Sequence, residues 1–189
     1  MNIFVLDRDP VEAAKMQCDR HVVKMIIESA QMLSAAIDVN YKFMLRGDPE
    51  TKPSEQLGLP GYPPAHIKHP CTMWVIDSLG NYKWLIKHMR ALCYEYRLRY
   101  GKVHKSEGCL MIYEGQIDNL FFPKEKRTEF VKAMPDKYKV KDPVISYRVF
   151  YNMDKFPFAK WKLGNVPDWY TGGPTYHVEL ENSDASSIN

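Results

Sequence analysis

The sequence predicts an all-α fold, a compact single helical domain with long loops. Apolar residues recur at helical spacing over two long stretches. Proline follows aspartate at two typical helix starts, Asp9-Pro10 and Asp142-Pro143. The chain has 189 residues, 45% of them hydrophobic, which is enough for one sizeable core. We expect residues 1–178 to form this domain and residues 179–189 to form an acidic, flexible tail.

The first predicted element is a short apolar run, Ile3–Leu6, which suits a strand or a buried N-terminal arm. A long helix should follow, because Asp9 is a good N-cap, Pro10 suits the first helical position and Glu12 completes a capping box. Its periodicity continues to about Ile37. The apolar residues that share one face and should be buried are Val22, Val23, Ile26, Ala30 and Leu33.

A long loop and a second long helix come next. Residues 38–70 are rich in proline and glycine and predict a loop. Thr72–Leu79 should form a short helix that Gly80 breaks. Asn81 then suits the N-cap of the second long helix, and Gly101 should end it. We expect this helix to cross the first one and to share a core with it.

The C-terminal part should contain two shorter helices. Ser106 opens a third helix that ends near Leu120, and residues 121–141 form a proline-containing connection. The Asp142-Pro143 pair starts a fourth helix that ends near Met153. An aromatic loop without clear periodicity follows.

Composition excludes several classes of protein. No apolar run approaches the ~18 residues needed to span a membrane, and the start of the chain is too short and acidic for a signal peptide. The four cysteines show no CxxC spacing, which favours reduced thiols in a cytoplasmic protein. His66 and His69 have the spacing of a metal pair, but no cysteine or carboxylate lies at a matching distance. We therefore expect no metal and no cofactor.

The basic residues are distributed unevenly. Net charge is only +3, yet Arg97, Arg99, Lys102 and Lys105 lie close together in a tyrosine-rich stretch. Such a stretch suits a polyanion-binding surface. The alternative is that these residues only solvate an exposed helix face.

The first long helix carries a polar strip whose residue types suit catalysis. At ~3.6 residues per turn, His21, Lys24, Glu28 and Gln31 fall on one side of it, and Arg20 borders them. A histidine, an amine and a carboxylate on one rigid helix suit proton abstraction or imine chemistry. The alternative is an ordinary solvated face on which Lys24 and Glu28 form a routine i,i+4 pair.

These residues resemble a known family. The spacing Asp19-x-His21-x6-Glu28 resembles that of the pyrimidine-dimer DNA glycosylases, the endonuclease V type of repair enzyme. His69-Pro70 before a helix, the basic segment Arg97–Gly101 and Pro167-x-Trp169-Tyr170 follow in the same order. The resemblance covers about two-thirds of the chain. This chain is longer than the family, mainly in residues 38–66 and after Tyr170.

The resemblance implies an all-helical glycosylase that also cleaves the strand at the abasic site. In that family the N-terminal amine attacks the sugar and a helix glutamate assists. By position Glu28 takes the glutamate role, with His21 beside it. The sequence departs from the family at the nucleophile, because Asn2 is too bulky for efficient removal of Met1. The reactive amine could be that of Met1, it could be that of Lys24, or the chemistry could be lost.

Elementary chemistry supports the same mechanism. An imine-forming amine must be partly neutral near pH 7, as α-amines are with pKa values of ~7.7–8.0. A lysine needs burial or a cationic neighbour, which Arg20 and His21 could supply for Lys24. A carboxylate near the imine can accept the 2′ proton of the sugar and drive loss of the 3′ phosphate.

The expected partner is double-stranded DNA, which Arg20 and Gln31 of the polar strip should help to bind, and no obligate protein partner is evident. Trp169 and Tyr170, on a loop followed by glycines, suit stacking on a flipped base, although both rings could instead close the core. His69 suits a phosphate contact or a cap on the next helix. Two alternatives remain: a base- or nucleotide-modifying enzyme without strand cleavage, and a non-catalytic nucleic-acid binding module.

Overall fold

A computed structural model describes residues 1–45, 62 and 66–173, and its ordered elements are helical. The α-helices are α1 (Pro10–Lys15), α2 (Asp19–Leu45), α3 (Pro70–Asp77), α4 (Leu79–Tyr100), α5 (Leu110–Gly115) and α6 (Pro143–Phe150). Short 3-10 turns occupy Lys105–Cys109, Ile117–Asn119 and Asp136–Tyr138, and a π-helical segment, Tyr151–Lys155, extends α6. Within the described ranges the chain forms no β-sheet, and Ser78 and Lys124 form an isolated β-bridge. The predicted all-α fold is confirmed. The expected tail, residues 179–189, lies outside the described residues.

The first predicted helix is two helices. Asp9 caps α1 by accepting from the amides of Val11 and Glu12, as predicted, but α1 ends at Lys15. The chain turns at residues 16–18 before α2 begins. The guanidinium of Arg99 binds the carbonyls of Lys15 and Gln17 at 3.0 and 2.7 Å. Tertiary partners therefore satisfy the backbone groups that a continuous helix would have paired internally.

Helix α2 forms the centre of the core and packs extensively against α4. Of the residues predicted to be buried, Val22, Ile26, Ala30 and Leu33 are fully buried, whereas Val23 is only half-buried. The partner residues from α4 in the same cluster are Trp84, Leu85 and Leu92. The helix continues to Leu45, so the predicted loop begins later than residue 38. Most of that loop lies outside the described residues.

The junction of α3 and α4 differs from the prediction. Ser78, rather than Asn81, caps α4 by accepting from the amide of Gly80. Gly80 is helical and lies against the backbone of Arg127, where a Cβ would come within 2.2 Å of the amide nitrogen. Glycine is therefore needed for close packing rather than as a helix breaker. The buried side chain of Asn81 instead donates to the carbonyl of Trp74 at 2.7 Å.

The later boundaries follow the sequence more closely. Gly101 ends α4 in the left-handed conformation with φ 64°, as predicted. The predicted third helix is a 3-10 turn, α5 and a second 3-10 turn in succession. Asp142 caps α6 through the amides of Val144 and Ile145, as the Asp-Pro pair predicts. No helix among the described residues is both long enough and apolar enough to cross a membrane.

Candidate active site

A cavity of about 500 Å³ opens at the N-terminal end of α2. Its volume lies within the ~300–1,000 Å³ range of small-molecule sites. The lining residues come from the N-terminal arm, the first turns of α2, the end of α6 and the segment that follows it: Met1, Asn2, Phe4, Arg20, His21, Lys24, Met25, Glu28, Phe150, Lys155 and Phe158. The predicted catalytic residues Met1, His21, Lys24 and Glu28 thus line one cavity, together with Arg20.

Glu28 lies between two amines. Its Oε2 atom is 3.8 Å from the α-amino nitrogen of Met1, and its Oε1 atom is 3.4 Å from Nζ of Lys24. The same Oε2 atom accepts a hydrogen bond of 2.6 Å from the backbone amide of Asn2. The Glu28 side chain is only 10% exposed, whereas the Lys24 side chain is 65% exposed. The carboxylate is therefore fixed within reach of both candidate nucleophiles.

His21 is a neutral hydrogen-bonding group. Burial, followed by repulsion from Lys155, Lys24 and Arg20, lowers the pKa of His21 to about 3. Its Nδ1 atom lies 2.5 Å from the hydroxyl of Tyr151, and its ring stacks on Phe4 with centroids 4.1 Å apart. A neutral imidazole cannot be a cationic neighbour of Lys24. Of the two residues that the sequence suggested for this role, only Arg20 carries a positive charge.

Aromatic rings and cations form the rest of the lining. Lys155 Nζ lies 4.3 Å from the ring centroid of Phe150, and the Arg20 guanidinium lies 4.9 Å from that of Phe158. Among the described residues that line the cavity, Glu28 is the acidic one, facing three basic side chains and the Met1 amine. This excess of positive charge favours an anionic ligand, and the ring faces favour a planar one.

Two predicted binding residues on α2 and before α3 lie beyond the cavity lining. Gln31 is half-buried one turn after Glu28. His69 caps α3 by accepting from the amide of Cys71 at 3.1 Å, one of the two roles predicted for it. Burial lowers the pKa of His69, and the Met1 amine lowers it further while Glu28 opposes both. His69 is therefore electrostatically coupled to the site without lining it.

The basic stretch at the end of α4 divides into exposed and buried residues. Lys102 and Lys105 are exposed, and exposed Arg97 pairs with Glu107 at 2.6 Å. Arg99 is not exposed, since its side chain has 0% accessibility and pairs with Glu95 at 2.8 Å and Asp19 at 3.1 Å. Arg99 is thus held inside the fold by two carboxylates, apart from the exposed residues of this stretch. The helical repeat explains this, because Arg97 and Arg99 are about 200° apart around α4.

Trp169 and Tyr170 pack on the core. The Trp169 indole donates to Met16 Sδ at 3.4 Å and its ring contacts Tyr151, while Tyr170 lies against Trp161 with centroids 4.6 Å apart. Both rings are half-buried and neither lines the cavity. This arrangement matches the alternative in which the two rings close the core.

Sequence reasoning missed Phe4, Phe150, Lys155 and Phe158. Three of these come from the C-terminal part of the chain, near the π-helical segment Tyr151–Lys155. Such segments occur often at functional sites. The hydrogen-bond pattern of a π-helical segment produces no recognisable periodicity in the sequence, although the Phe150–Phe158 region is rich in aromatic and basic residues.

The N-terminal part of the chain matches a known protein family. A family model described as pyrimidine dimer DNA glycosylase matches residues 1–107, the region from the N-terminal arm through α4. That region holds Met1, His21, Lys24 and Glu28, whereas Phe150, Lys155 and Phe158 follow it. No curated protein and no solved structure matches the chain. Because the match spans more than half of the 189 residues, the chain belongs to the pyrimidine dimer DNA glycosylase family.

Proposed function

We propose that this DNA-repair glycosylase removes a damaged pyrimidine from double-stranded DNA and cleaves the strand at the resulting abasic site. The α-amine of Met1 is the nucleophile and Glu28 is the proton acceptor. The observation that carries the proposal is the placement of this amine 3.8 Å from a nearly buried carboxylate, at the edge of a cavity with aromatic walls.

The reaction has two stages, base removal and strand cleavage. The amine attacks C1′ of the damaged nucleotide, the glycosidic bond breaks, and the base leaves with the electron pair of that bond and takes up one proton from the amine. The other amine proton passes to O4′ as the C1′–O4′ bond breaks, which opens the sugar ring and leaves an imine between C1′ and the amine. Glu28 accepts the 2′ proton, a double bond forms between C2′ and C3′, and the 3′ phosphate leaves. Water hydrolyses the imine and releases the enzyme.

Met1 suits the nucleophilic role better than Lys24 does. The two amines lie at similar distances from Glu28, but α-amines as a class lose their proton nearer neutral pH than lysine amines. The Met1 side chain is only 2% exposed, so packing around it holds the attached amine in place. The Lys24 side chain is 65% exposed and its amine is less restrained. A held amine loses less freedom when it reaches the reacting geometry. In this mechanism Lys24 acts as a positively charged partner of the Glu28 carboxylate.

The remaining cations suit the DNA backbone. Arg20 and Lys155 are held over aromatic rings at the cavity, where they can bind the phosphates that flank an extruded nucleotide. Arg97, Lys102 and Lys105 are exposed and can neutralise phosphates further along the duplex. His69 and Gln31 are proposed as weaker contacts beside the cavity.

Borohydride trapping tests the proposal directly. The purified protein is mixed with duplex DNA that contains a pyrimidine dimer or an abasic site, and sodium borohydride reduces any imine to a stable crosslink. We expect a crosslink on both substrates and none on undamaged duplex. Peptide mapping by mass spectrometry should place it on Met1, in the wild type and in Lys24→Met alike. A crosslink on Lys24 that disappears in Lys24→Met would assign the nucleophile to the helix instead.

The other two readings predict different results in the same assay. A non-catalytic module binds the duplex but forms no crosslink and releases no base. An enzyme that modifies a base without strand cleavage releases or alters the base while leaving the backbone intact. Either result would overturn the lyase step.

A further inference from the structure

The side chain of Met1 is part of the protein interior. It is 2% exposed, and its Sδ atom accepts a hydrogen bond of 3.2 Å from the hydroxyl of Thr72, in the first turn of α3. Thr72 is itself fully buried. Terminal residues usually fray unless specific contacts hold them. The thioether contact therefore holds the first residue against α3.

Asn2 fixes the backbone that carries the amine. Its Oδ1 atom accepts from the amides of Ile3 and Phe4 at 2.7 and 3.1 Å, and its Nδ2 atom donates to the carbonyl of Ala133 at 2.8 Å. Its own amide donates to Glu28. One side chain thus closes a tight turn and attaches that turn to a distant segment.

The turn is strained, which shows that contacts hold it in place. Phe4 has φ of 52°, a left-handed conformation that a bulky side chain rarely adopts. Its ring is held between His21 and Phe150, with centroids 4.1 and 6.0 Å away. Strain of this kind persists only where the surrounding structure determines the conformation, and it is common at active sites.

From these contacts we propose that Asn2 and the Met1 side chain are positioning residues, a two-point anchor that aims the α-amine at the sugar, and that the active enzyme retains Met1. This inference rests on the proposed function, because it concerns the nucleophile named there. Removing Met1 would transfer the free amine to Asn2, one residue or ~3.8 Å along the chain. The two nitrogens lie at different positions relative to Glu28, 3.8 Å from Oε2 for Met1 and 2.6 Å for Asn2, so retention of Met1 decides where the reactive amine lies.

The decisive variant is Asn2→Leu, which keeps a bulky second residue and deletes the three side-chain hydrogen bonds. We expect its single-turnover trapping rate on abasic-site duplex to fall on the order of 10²-fold, with DNA affinity maintained. The remaining crosslink should shift from Met1 towards Lys24. A merely destabilised protein would lose both crosslinks in proportion. Intact mass should show that wild type and Asn2→Leu both retain Met1.

Thr72 provides a second test that does not alter the arm. Thr72→Val keeps the shape of the side chain and removes the hydrogen bond to Met1, so trapping should slow about 3- to 10-fold. Thr72→Ser keeps the hydroxyl and should restore the rate. A wild-type rate and an unchanged crosslink position in folded Asn2→Leu and Thr72→Val, with Met1 present, would overturn the anchor. Failure of the wild type to trap at all would instead overturn the proposed function.

Discussion

Glu28 connects the chemistry of the site to the fold. It accepts from the Asn2 amide, faces the Met1 amine and pairs with Lys24, and all three contacts meet on one nearly buried carboxylate. The pair with Lys24 is the ordinary i,i+4 contact that the helix predicts. The contacts with the N-terminal arm are additional to it, and a helix face exposed only to solvent would not have them.

Glu28→Gln should remove strand cleavage while keeping the fold and DNA affinity. Glutamine can still accept from the Asn2 amide but cannot take the 2′ proton, so we expect a rate loss of at least ~10²-fold. If Glu28 only pairs with Lys24, the rate should hardly change and stability should fall by about 0.3–0.5 kcal/mol. Single-turnover cleavage of abasic-site duplex measures the difference. Glu12→Gln, which breaks the exposed pair with Lys15, is the matched control.

At the scale of elements, the break between α1 and α2 sets the direction of α2. The guanidinium of Arg99 holds this break through two carbonyls and two carboxylates, and the Asp19 amide donates to the carbonyl of Lys160 at 2.8 Å. The Cys18 amide donates to the hydroxyl of Tyr151, which also contacts His21. The start of α2 is thereby attached to both α4 and the π-helical segment.

Arg99 and Arg97 offer a matched pair of substitutions on α4. Arg99→Met leaves Glu95 and two carbonyls without their buried donor, so we expect the free energy of unfolding to fall by about 3–5 kcal/mol. Arg97→Met breaks an exposed pair and should cost about 1 kcal/mol or less. Urea denaturation followed by circular dichroism measures both. Equal stability of the two variants would contradict the role of Arg99 in joining the helices.

At the scale of the whole molecule, distant segments hold the N-terminal arm and bury two histidines, His21 in the cavity wall and His88 away from the cavity. The N-terminal arm is bound by Gln17 through the carbonyl of Ile3 at 3.0 Å and by Arg148 through that of Leu6 at 2.9 Å. Gln17 also lies 3.1 Å from Nε2 of His88, whose Nδ1 atom contacts the carbonyl of Pro10 at 2.8 Å. Burial lowers the pKa of His88 to about 4.

The buried histidines should make the fold sensitive to acid. In the unfolded chain His21 and His88 take up a proton near pH ~6.5, whereas in the folded protein they remain neutral to about 3 and 4. The unfolded state binds more protons in this window, so stability falls as pH decreases. For each histidine, the free energy of unfolding should fall by about 2 kcal/mol between pH 7 and pH 5.

Urea denaturation at the two pH values measures this loss. In His21→Phe the difference between pH 7 and pH 5 should shrink by the contribution of one histidine, whatever the stability at pH 7. His66→Phe, which makes the same substitution at an exposed histidine, is the matched control. A pH dependence that His21→Phe does not reduce would show that His21 takes up its proton in the folded state as well.

The sequence by itself determined the helical architecture and the polar strip of α2, because both follow from helical periodicity. His21, Lys24 and Glu28 share a face because an α-helix has 3.6 residues per turn. Asp9, Asp142 and Gly101 begin or end helices through local contacts of their own.

Only the tertiary structure decided what faces that strip. Met1, Phe150 and Lys155 reach the cavity through hydrogen bonds and ring contacts between segments more than 100 residues apart. The burial of Arg99 and the break before α2 depend on other long-range contacts, which join α4 to the residues on either side of the break. Such contacts have no period along the chain, and they place the α-amine of Met1 near the carboxylate of Glu28.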